Sequence, residues 1–282
     1  MGYGSATFLV RCLKRLGWAF QTALFPHRCF RCNTFYFPSH QNNFLLDCAK
    51  VSGGRDYFRA LLTPFLCQQC RHSITLLKSP FCRICGRPFE GKEEVNHTCG
   101  TCIQAPNRFD SARSCGVYSD GLKDLIHCFK YGHIPQLAKP LGVLLAWGFL
   151  KYFQDRAIDM IIPVPLHPKR MRSRGFNQAY LLIQAALKEW LNKVYDRQLP
   201  DIAARKLVRI RATQPQTGLG RDLRRKNIRN AFAVTPYSSI SNKSVLLVDD
   251  VYTTGATVDE CARVLKKSGA DRVDVLSLAR AV

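Results

Sequence analysis

The chain has 282 residues, and 46% of them are hydrophobic. This apolar content excludes a globally disordered protein, and the length favours two domains over one or three. The net charge of +22 predicts an affinity for polyanions or phosphorylated ligands, although basic proteins without such ligands are also common.

Residues 1–25 have the pattern of an amphipathic helix. Leu9, Leu13 and Leu16 recur on one side, and Arg11 lies on the other. Such a helix can make a peripheral contact with an anionic membrane, but a terminal helix more often packs on its own domain. The sequence shows no signal peptide and no apolar run of about 18 residues, so we expect a cytoplasmic protein without a transmembrane span.

Paired cysteines dominate residues 26–106, which we predict to be a small separate domain. Eight of the thirteen cysteines form four Cys-x-x-Cys pairs, and each pair can offer two thiolates to one tetrahedral ion. Four pairs therefore predict two structural zinc sites, whereas a redox motif would need a thioredoxin-like setting that is not visible here. An insertion at residues 33–60, whose role the sequence does not indicate, separates the first two pairs. The predicted zinc ligands are Cys29, Cys32, Cys67, Cys70, Cys82, Cys85, Cys99 and Cys102.

Strands and helices are predicted to alternate after residue 106, which is typical of an α/β domain with a parallel sheet covered by helices. We assign residues 107–282 to this domain. The predicted helices cover 121–131, 134–152, 176–191 and 256–268, the predicted strands cover 158–165, 244–249 and 272–278, and a charged flexible region covers 202–229.

The segment Val245–Thr257 combines a buried strand, two acids and a tight turn. Asp249 and Asp250 stand at the carboxyl end of the strand, where open α/β sheets bind their ligands. The turn brings backbone N–H groups and the positive end of a helix to one point, which suits a phosphate, and Gly255 permits a close approach. The two carboxylates would repel a phosphate but suit hydroxyl groups, so the segment predicts a site for a phosphorylated ribose. The turn consists of Thr253, Thr254, Gly255, Ala256 and Thr257.

A second strand, within Ile161–Ala179, runs into a basic loop and then into a helix. Four of the six residues from Lys169 to Arg174 are Lys or Arg, so the loop can compensate the negative charge of a ligand. A solvated surface loop is the alternative for any one of these residues. The candidate anion-binding residues of the loop are His167, Lys169, Arg170, Arg172 and Arg174.

The letters V-L-L-V-D-D-V-Y-T-T-G-A-T, from Val245 to Thr257, closely resemble the phosphoribosyl pyrophosphate signature of type I phosphoribosyltransferases. The resemblance implies that Asp249 and Asp250 bind the ribose hydroxyls within a catalytic centre and that the turn binds the 5-phosphate. It also implies that the basic loop faces the pyrophosphate, with Arg174, the basic segment at 205–229 and Mg²⁺ serving the leaving group. The alternative is the generic strand, acid and turn of another nucleotide-binding sheet, which rarely combines two acids with a Thr-Thr-Gly-x-Thr turn.

Four further motifs extend along the chain, namely P-V-P-L-H-P, R-G-F-N-Q-A, Q-P-Q-T-G-L and R-R-K-N-I-R-N-A-F, and Lys130 and Tyr131 add a fifth. Together they resemble the ComF proteins, which include competence protein F and the ComFC and GntX group. The resemblance implies a double zinc ribbon, with the cysteine pairs joined in sequential order, before a type I phosphoribosyltransferase domain. Spacing alone also permits interleaved pairs. The resemblance further implies a role in DNA uptake, with single-stranded DNA and a competence helicase as partners.

Two functions fit these residues. They differ in whether the site only binds its ligand or also catalyses a reaction. In the first, the site binds phosphoribosyl pyrophosphate (PRPP) or a nucleotide-like ligand, while the basic loops and the zinc domain bind single-stranded DNA. In the second, an active phosphoribosyltransferase of nucleotide metabolism transfers ribose 5-phosphate to a base that the sequence does not reveal. A scaffold that has lost its ligand is disfavoured, because the Asp-Asp and Thr-Thr-Gly-Ala-Thr residues are intact.

Overall fold

The structure is a computed structural model, and it describes most of the chain beyond the amino-terminal segment. The described residues are 26–37, 54–89, 95–132, 134–192, 195, 198–213, 220–236 and 239–282. The amphipathic helix predicted for residues 1–25 lies outside these ranges, as does most of the insertion at 33–60. In the described parts of the insertion, Phe35–Tyr36 form a short strand and a helix begins at Gly54.

A five-stranded parallel sheet confirms the predicted α/β fold class. The strands are β1 (His27–Arg28), β2 (Phe35–Tyr36), β3 (Ser111–Val117), β4 (Met160–Pro163), β5 (Asp201–Ile202), β6 (Leu207–Arg209), β7 (Phe232–Val234), β8 (Ser244–Tyr252) and β9 (Arg272–Arg280). The order in the sheet is β3-β9-β8-β4-β5, and β1 pairs with β2, and β6 with β7, in antiparallel hairpins. The apolar residues Val245–Val248 of β8 are buried, as a central parallel strand requires.

Helices cover the sheet and connect its parallel strands. They are α1 (Gly54–Leu61), α2 (Gln68–His72), α3 (Gly100–Gln104), α4 (Asp120–Tyr131), α5 (Ala138–Phe153), α6 (Pro168–Arg174), α7 (Gln178–Ala186), α8 (Arg221–Ile228) and α9 (Ala256–Lys267), with a 3₁₀ turn at Pro135–Leu137 and a π-helical turn at Leu187–Leu191. Helix α5 is apolar on nearly every side because it packs between α1, α7 and the sheet. Within the described ranges, no helix has both the length and the apolar character that a membrane span requires.

Three elements differ from their predicted form. The basic loop after β4 is the helix α6, since Pro168 occupies its first turn and the His167 side chain caps it. The flexible region predicted at 202–229 contains the strand β6 and the helix α8 in its described part. Strand β8 continues to Tyr252, so it is longer than the predicted 244–249 and Asp250 lies within it instead of following it.

The strand β3 is absent from the sequence predictions. Its register with β9 places Ser111 and Ser114 inside the sheet, where polar side chains give no hydrophobic signal. The Ser111 hydroxyl donates to Asp274 Oδ1 at 2.7 Å, and the hydroxyls of Ser114 and Ser277 are 2.7 Å apart. These hydrogen bonds satisfy the buried polar groups, and both partners come from a strand more than 150 residues away.

Two hydrophobic clusters form the core of the described chain, and each includes part of the cysteine-rich region. The first contains Cys29 and Cys70 together with Phe58 and much of α5. The second contains Cys82 and its neighbouring cysteines together with Tyr252 and residues of α9. The cysteine-rich region therefore shares its cores with the sheet, and the domain boundary predicted at residue 106 stays a prediction.

Candidate functional site

A cleft of about 560 Å³ opens at the carboxyl ends of β4 and β8. This edge is where open α/β sheets bind ligands. The acids and the turn after β8 contribute one part of its lining, and several arginines contribute another. The lining includes eight residues that the sequence analysis had selected: Asp249, Asp250, Thr253, Gly255, Ala256, Thr257, Arg170 and Arg174.

Four of the selected residues do not line the cleft. The hydroxyl of Thr254 accepts a hydrogen bond from the Ala256 N–H at 3.4 Å, so it engages one amide of the turn. The Nδ1 atom of His167 accepts from the Lys169 N–H at 3.3 Å and thereby caps α6. Lys169 and Arg172 are exposed on α6. Their contribution to a ligand is at most electrostatic in this conformation.

The two neighbouring acids of β8 have different surroundings. The Asp250 N–H donates to Asp249 Oδ1 at 2.9 Å, and the Asp250 carboxylate faces Lys130. Burial and the adjacent charge of Asp250 raise the pKa of Asp249 to about 7, against the opposing effect of Lys130. Asp249 can therefore gain or lose a proton near neutral pH.

Lys130 forms a largely buried ion pair with Asp250. Its Nζ atom lies 2.7 Å from Asp250 Oδ1, and the two side chains are 16% and 13% exposed. Burial alone would lower the pKa of Lys130, but the charge and hydrogen bond of Asp250 outweigh it, so the pKa of Lys130 is raised. The cleft thus contains a fixed ammonium group beside its carboxylates. A substitution that removes only one partner of this ion pair would destabilise the protein, because the other partner would remain as an unpaired buried charge.

The raised pKa of Asp249 predicts a pH-dependent stability difference between the wild-type protein and an Asp249→Asn variant. A carboxyl group whose folded-state pKa is raised binds its proton more tightly in the folded state, so its contribution to stability falls as pH rises from about 4 to about 7. Asn cannot ionise. We expect the variant to gain stability relative to wild type across this window, by at most about 1.4 kcal/mol per pH unit. Urea unfolding between about pH 5 and about pH 8 measures the gap, and a constant gap would contradict the assignment.

Several arginines line the cleft together with the acids. The Arg174 guanidinium donates to the Tyr131 hydroxyl at 2.8 Å and lies 4.8 Å from the centre of its ring. Arg209 is buried on the β6–β7 hairpin, 5.4 Å from the Phe232 ring, and its Nε has no hydrogen-bond partner among the described residues. Arg224 of α8 also lines the cleft. Arg174 and Arg209 are therefore packed against aromatic rings, and guanidinium groups in general are well suited to binding anions.

Three charged residues of the cleft were not named as site residues from the sequence. Lys130 had been noted only within the family resemblance, and Arg209 and Arg224 only as members of the basic segment at 205–229 that would serve a leaving group. In the folded chain Lys130 reaches Asp250 across 120 positions. No local spacing signals such a contact, and only the Lys-Tyr dipeptide of the family resemblance drew notice to Lys130.

The eight paired cysteines form two groups in sequential order, as the family resemblance implied. The first cysteine cluster contains Cys29, Cys32, Cys67 and Cys70, and the second contains Cys82, Cys85, Cys99 and Cys102. In each cluster the sulfurs lie within 4.8 Å of one another. The distances from Cys32 Sγ to Cys67 Sγ and from Cys85 Sγ to Cys99 Sγ are both 3.8 Å.

These distances fit tetrahedral zinc. Zn–S bonds of about 2.3 Å place the sulfurs of a tetrahedral site about 3.8 Å apart. Hydrogen bonds from Thr34 lower the pKa of Cys32 to about 6. Burial raises the pKa of Cys82, but hydrogen bonds from the backbone N–H groups of Cys99, Cys85 and Ile84 outweigh this effect and leave the pKa at about 6. Each cluster therefore holds at least one sulfur that is readily available as a thiolate.

Comparison with known families assigns both parts of the chain. Residues 62–124 match the double zinc ribbon domain family, and residues 193–281 match the phosphoribosyl transferase domain family. The first match contains three of the four cysteine pairs, and the second contains the acids and the turn after β8. The two matches agree with the predicted fold class and with structural zinc.

Similar proteins extend over most of the chain. The chain is 32% identical over 234 residues to DNA utilization protein YhgH of Salmonella typhi, covering 78% of this chain and 99% of that protein. It is 31% identical over 231 residues to competence protein F of Haemophilus influenzae, covering 77% and 97%. It is 26% identical over 222 residues to competence protein ComFC of Bacillus subtilis, covering 76% and 84%. The three alignments cover between 84% and 99% of the relatives' own lengths.

Proposed function

Because the chain belongs to the ComF family of competence proteins, with a double zinc ribbon and a phosphoribosyltransferase domain, we propose that its cleft binds a phosphoribosyl ligand in the handling of single-stranded DNA. The ligand is PRPP or a nucleotide-like molecule with a 5-phosphate. The associated process is DNA uptake or a related use of DNA, as the names of the relatives suggest.

One observation carries the proposal, namely the arrangement of charges around the cleft. Asp249 and Asp250 line it beside the turn that begins at Thr253, while Arg170 and Arg174 line it from α6. A phosphorylated sugar has this polarity, since its hydroxyl groups need acceptors and its phosphates need donors. The carboxylates would bind the ribose hydroxyls, and the backbone N–H groups of the turn would bind the 5-phosphate.

Further phosphates of the ligand would be bound by the arginines. Arg170, Arg174, Arg209 and Arg224 all line the cleft, and they supply planar donors to phosphate oxygens. This assignment modifies the sequence prediction, because Lys169, Arg172 and His167 do not face the cleft. A pyrophosphate or a neighbouring phosphodiester offers the same chemistry to these side chains.

Mg²⁺ would enter this site together with a pyrophosphate. The carboxylates of Asp249 and Asp250 are suitable oxygen ligands, and the metal would supply positive charge to the leaving group. Lys130 already occupies one oxygen of Asp250 at 2.7 Å. We therefore expect the ribose 5-phosphate end to bind without Mg²⁺ and the pyrophosphate end to gain affinity when Mg²⁺ is added.

Calorimetric titration with PRPP and with ribose 5-phosphate, each with and without Mg²⁺, tests the proposal. We expect both ligands to bind the wild-type protein, and we expect Asp250→Asn to weaken PRPP binding at least about tenfold, because a charged hydrogen-bond acceptor is lost. Asp155→Asn is a matched control, since Asp155 is exposed and does not line the cleft. The proposal would be refuted if the wild-type protein bound neither PRPP nor ribose 5-phosphate.

Single-stranded DNA would follow the basic surface beside the cleft. Helix α8 carries Arg224 at the cleft and exposed Lys226, and exposed Arg229 follows the helix. Phosphate contacts of this kind release counterions, so affinity should fall linearly with salt on logarithmic axes. We expect Lys226→Gln and Arg229→Gln each to reduce that slope by about one, measured by fluorescence anisotropy with 5′-phosphorylated single strands. Lys267→Gln, at the exposed end of α9, is the control, and salt-independent affinity would contradict this part of the proposal.

Active phosphoribosyl transfer is the second candidate, and the lining of the cleft favours it, because two carboxylates and four arginines face one cavity. The carboxylates would orient the ribose, the guanidinium groups would stabilise the departing pyrophosphate, and the proton of the attacking base nitrogen would leave with that pyrophosphate. The base nitrogen would form a bond to the anomeric carbon while the bond to the pyrophosphate oxygen breaks. Incubation of radiolabelled PRPP with a panel of bases tests this candidate, and product no greater than that of Asp250→Asn would exclude turnover.

A further inference from the structure

Arg280 and Tyr252 connect the second cysteine cluster to the turn after β8, and we propose that zinc in this cluster holds the turn in its present conformation. The inference rests on the proposed function only in treating the turn as a ligand-binding element. The second cluster is buried, and it belongs to the same hydrophobic cluster as Tyr252 and Ala256. The buried cysteines of the first cluster belong to the other hydrophobic cluster.

The first link joins the Arg280 guanidinium to Cys85. Its Nη1 donates to the Cys85 carbonyl at 2.6 Å, and its Nη2 lies 3.8 Å from Cys85 Sγ. Four thiolates around one Zn²⁺ carry a net charge of about −2, which favours a cation beside them. Arg280 is 6% exposed, so this charge has little access to water. The loaded cluster is therefore an anionic partner that a buried guanidinium requires.

The second link joins Arg280 to the start of the turn. The guanidinium lies 4.5 Å from the centre of the Tyr252 ring, and Phe109 packs edge-on against the same ring. Tyr252 and Arg280 are also register partners between β8 and β9, and the Ala281 N–H donates to the Tyr252 carbonyl at 2.9 Å. Arg280 therefore holds the Tyr252 ring on one face, and the backbone pairing with residues 280 and 281 holds the main chain of Tyr252.

The third link joins the Tyr252 ring to Gly255. A Cβ atom on Gly255 would lie 2.3 Å from the Tyr252 hydroxyl, so the ring touches the backbone of the turn. A cavity of about 240 Å³ lies between the turn and the cluster, and its lining includes Tyr252 and Arg280 as well as Thr253, Thr254, Cys85 and Cys102. Because this cavity leaves part of the turn without packing, the contact with the Tyr252 ring supports the turn.

The chain of contacts predicts a reciprocal coupling. Without the metal nothing holds the four sulfurs together, so Cys85 loses its fixed position. Arg280, which contacts the Cys85 carbonyl and sulfur, then loses the contact that holds it over the Tyr252 ring. The ring is then free to move away from Gly255, and the turn loosens. A ligand that binds the ordered turn would, by the same linkage, raise the affinity of the second cluster for zinc.

Hydrogen exchange of the turn tests the coupling without any ligand. We compare peptides covering residues 253–257 in the wild-type protein, in Cys99→Ser and in Arg280→Met, which retains all eight zinc ligands. We expect exchange at the turn to be about tenfold faster in both variants. The peptide of β4 provides the internal reference for global unfolding. If Arg280→Met fails to fold, the comparison between cysteine variants decides the question.

Cys32→Ser is the matched control, because it disrupts the first cluster through its exposed cysteine. We expect exchange at the turn to be unchanged in this variant. Unchanged exchange in Cys99→Ser, or an equal increase in Cys32→Ser, would overturn the inference. Calorimetry with PRPP distinguishes it from the proposed function: a wild-type protein that binds no PRPP refutes that function, while the exchange rates still decide the coupling.

Discussion

A Gly255→Ala variant should lose both stability and affinity for PRPP. The φ angle of Gly255 is +80°, a conformation that costs an L-residue about 1 kcal/mol. The added Cβ would also lie 2.3 Å from the hydroxyl of Tyr252, whose ring is 4% exposed and packs against Phe109 and Arg280. Overpacking of such a site costs about 1–3 kcal/mol more. We expect a total loss of about 2–4 kcal/mol in denaturant unfolding, and PRPP binding at least about tenfold weaker because the turn is displaced.

Gly175→Ala is the matched control for this experiment. Gly175 has a φ of +79° and would place its Cβ in open space, with no atom within 4 Å. It therefore carries the same backbone cost of about 1 kcal/mol without the steric clash. The difference between the two variants isolates the contact with Tyr252. Equal losses of stability would show that this contact does not constrain the turn.

A Cys82→Ser variant should bind one zinc ion instead of two and should lose several kcal/mol of stability. Structural zinc contributes about 10–16 kcal/mol of apparent binding energy in zinc-finger peptides, and part of this energy stabilises the fold. Cys82 is fully buried within the second hydrophobic cluster, so its loss would also disturb the packing of Phe109 and Tyr252. Metal analysis and thermal unfolding of the variant measure the two effects.

The two clusters should also release zinc at different rates. Cys32 is exposed and Cys67 is half-buried, whereas all four sulfurs of the second cluster belong to buried residues. A chelator should therefore remove one zinc quickly and the other slowly, as a two-phase release detected with a metal-sensitive dye. Cys32→Ser should abolish the fast phase and preserve the slow one. A single phase in the wild-type protein, or a fast phase that persists in Cys32→Ser, would contradict this assignment.

The parts of the site that follow one another along the chain could be predicted without a structure. Asp249, Asp250 and the turn lie within nine positions, so the strand pattern and the turn chemistry place them together. The cysteine pairs were recognisable for the same reason, because two residues between cysteines suffice for a chelating turn. The helix α6 was mistaken for a loop, since a short basic segment without apolar periodicity gives no helical signal.

Local spacing by itself determined the α/β class, the turn beside two acids, and the four cysteine pairs of this protein. The tertiary structure decided which charges surround the acids, which cysteine pairs combine, and which cysteine cluster lies beside the turn. Lys130 meets Asp250, and Arg280 meets Cys85, across 120 and 195 positions respectively. These two contacts form only when elements far apart in the chain pack together. Such packing depends on the order of the strands in the sheet, which cannot be inferred from a short segment of sequence.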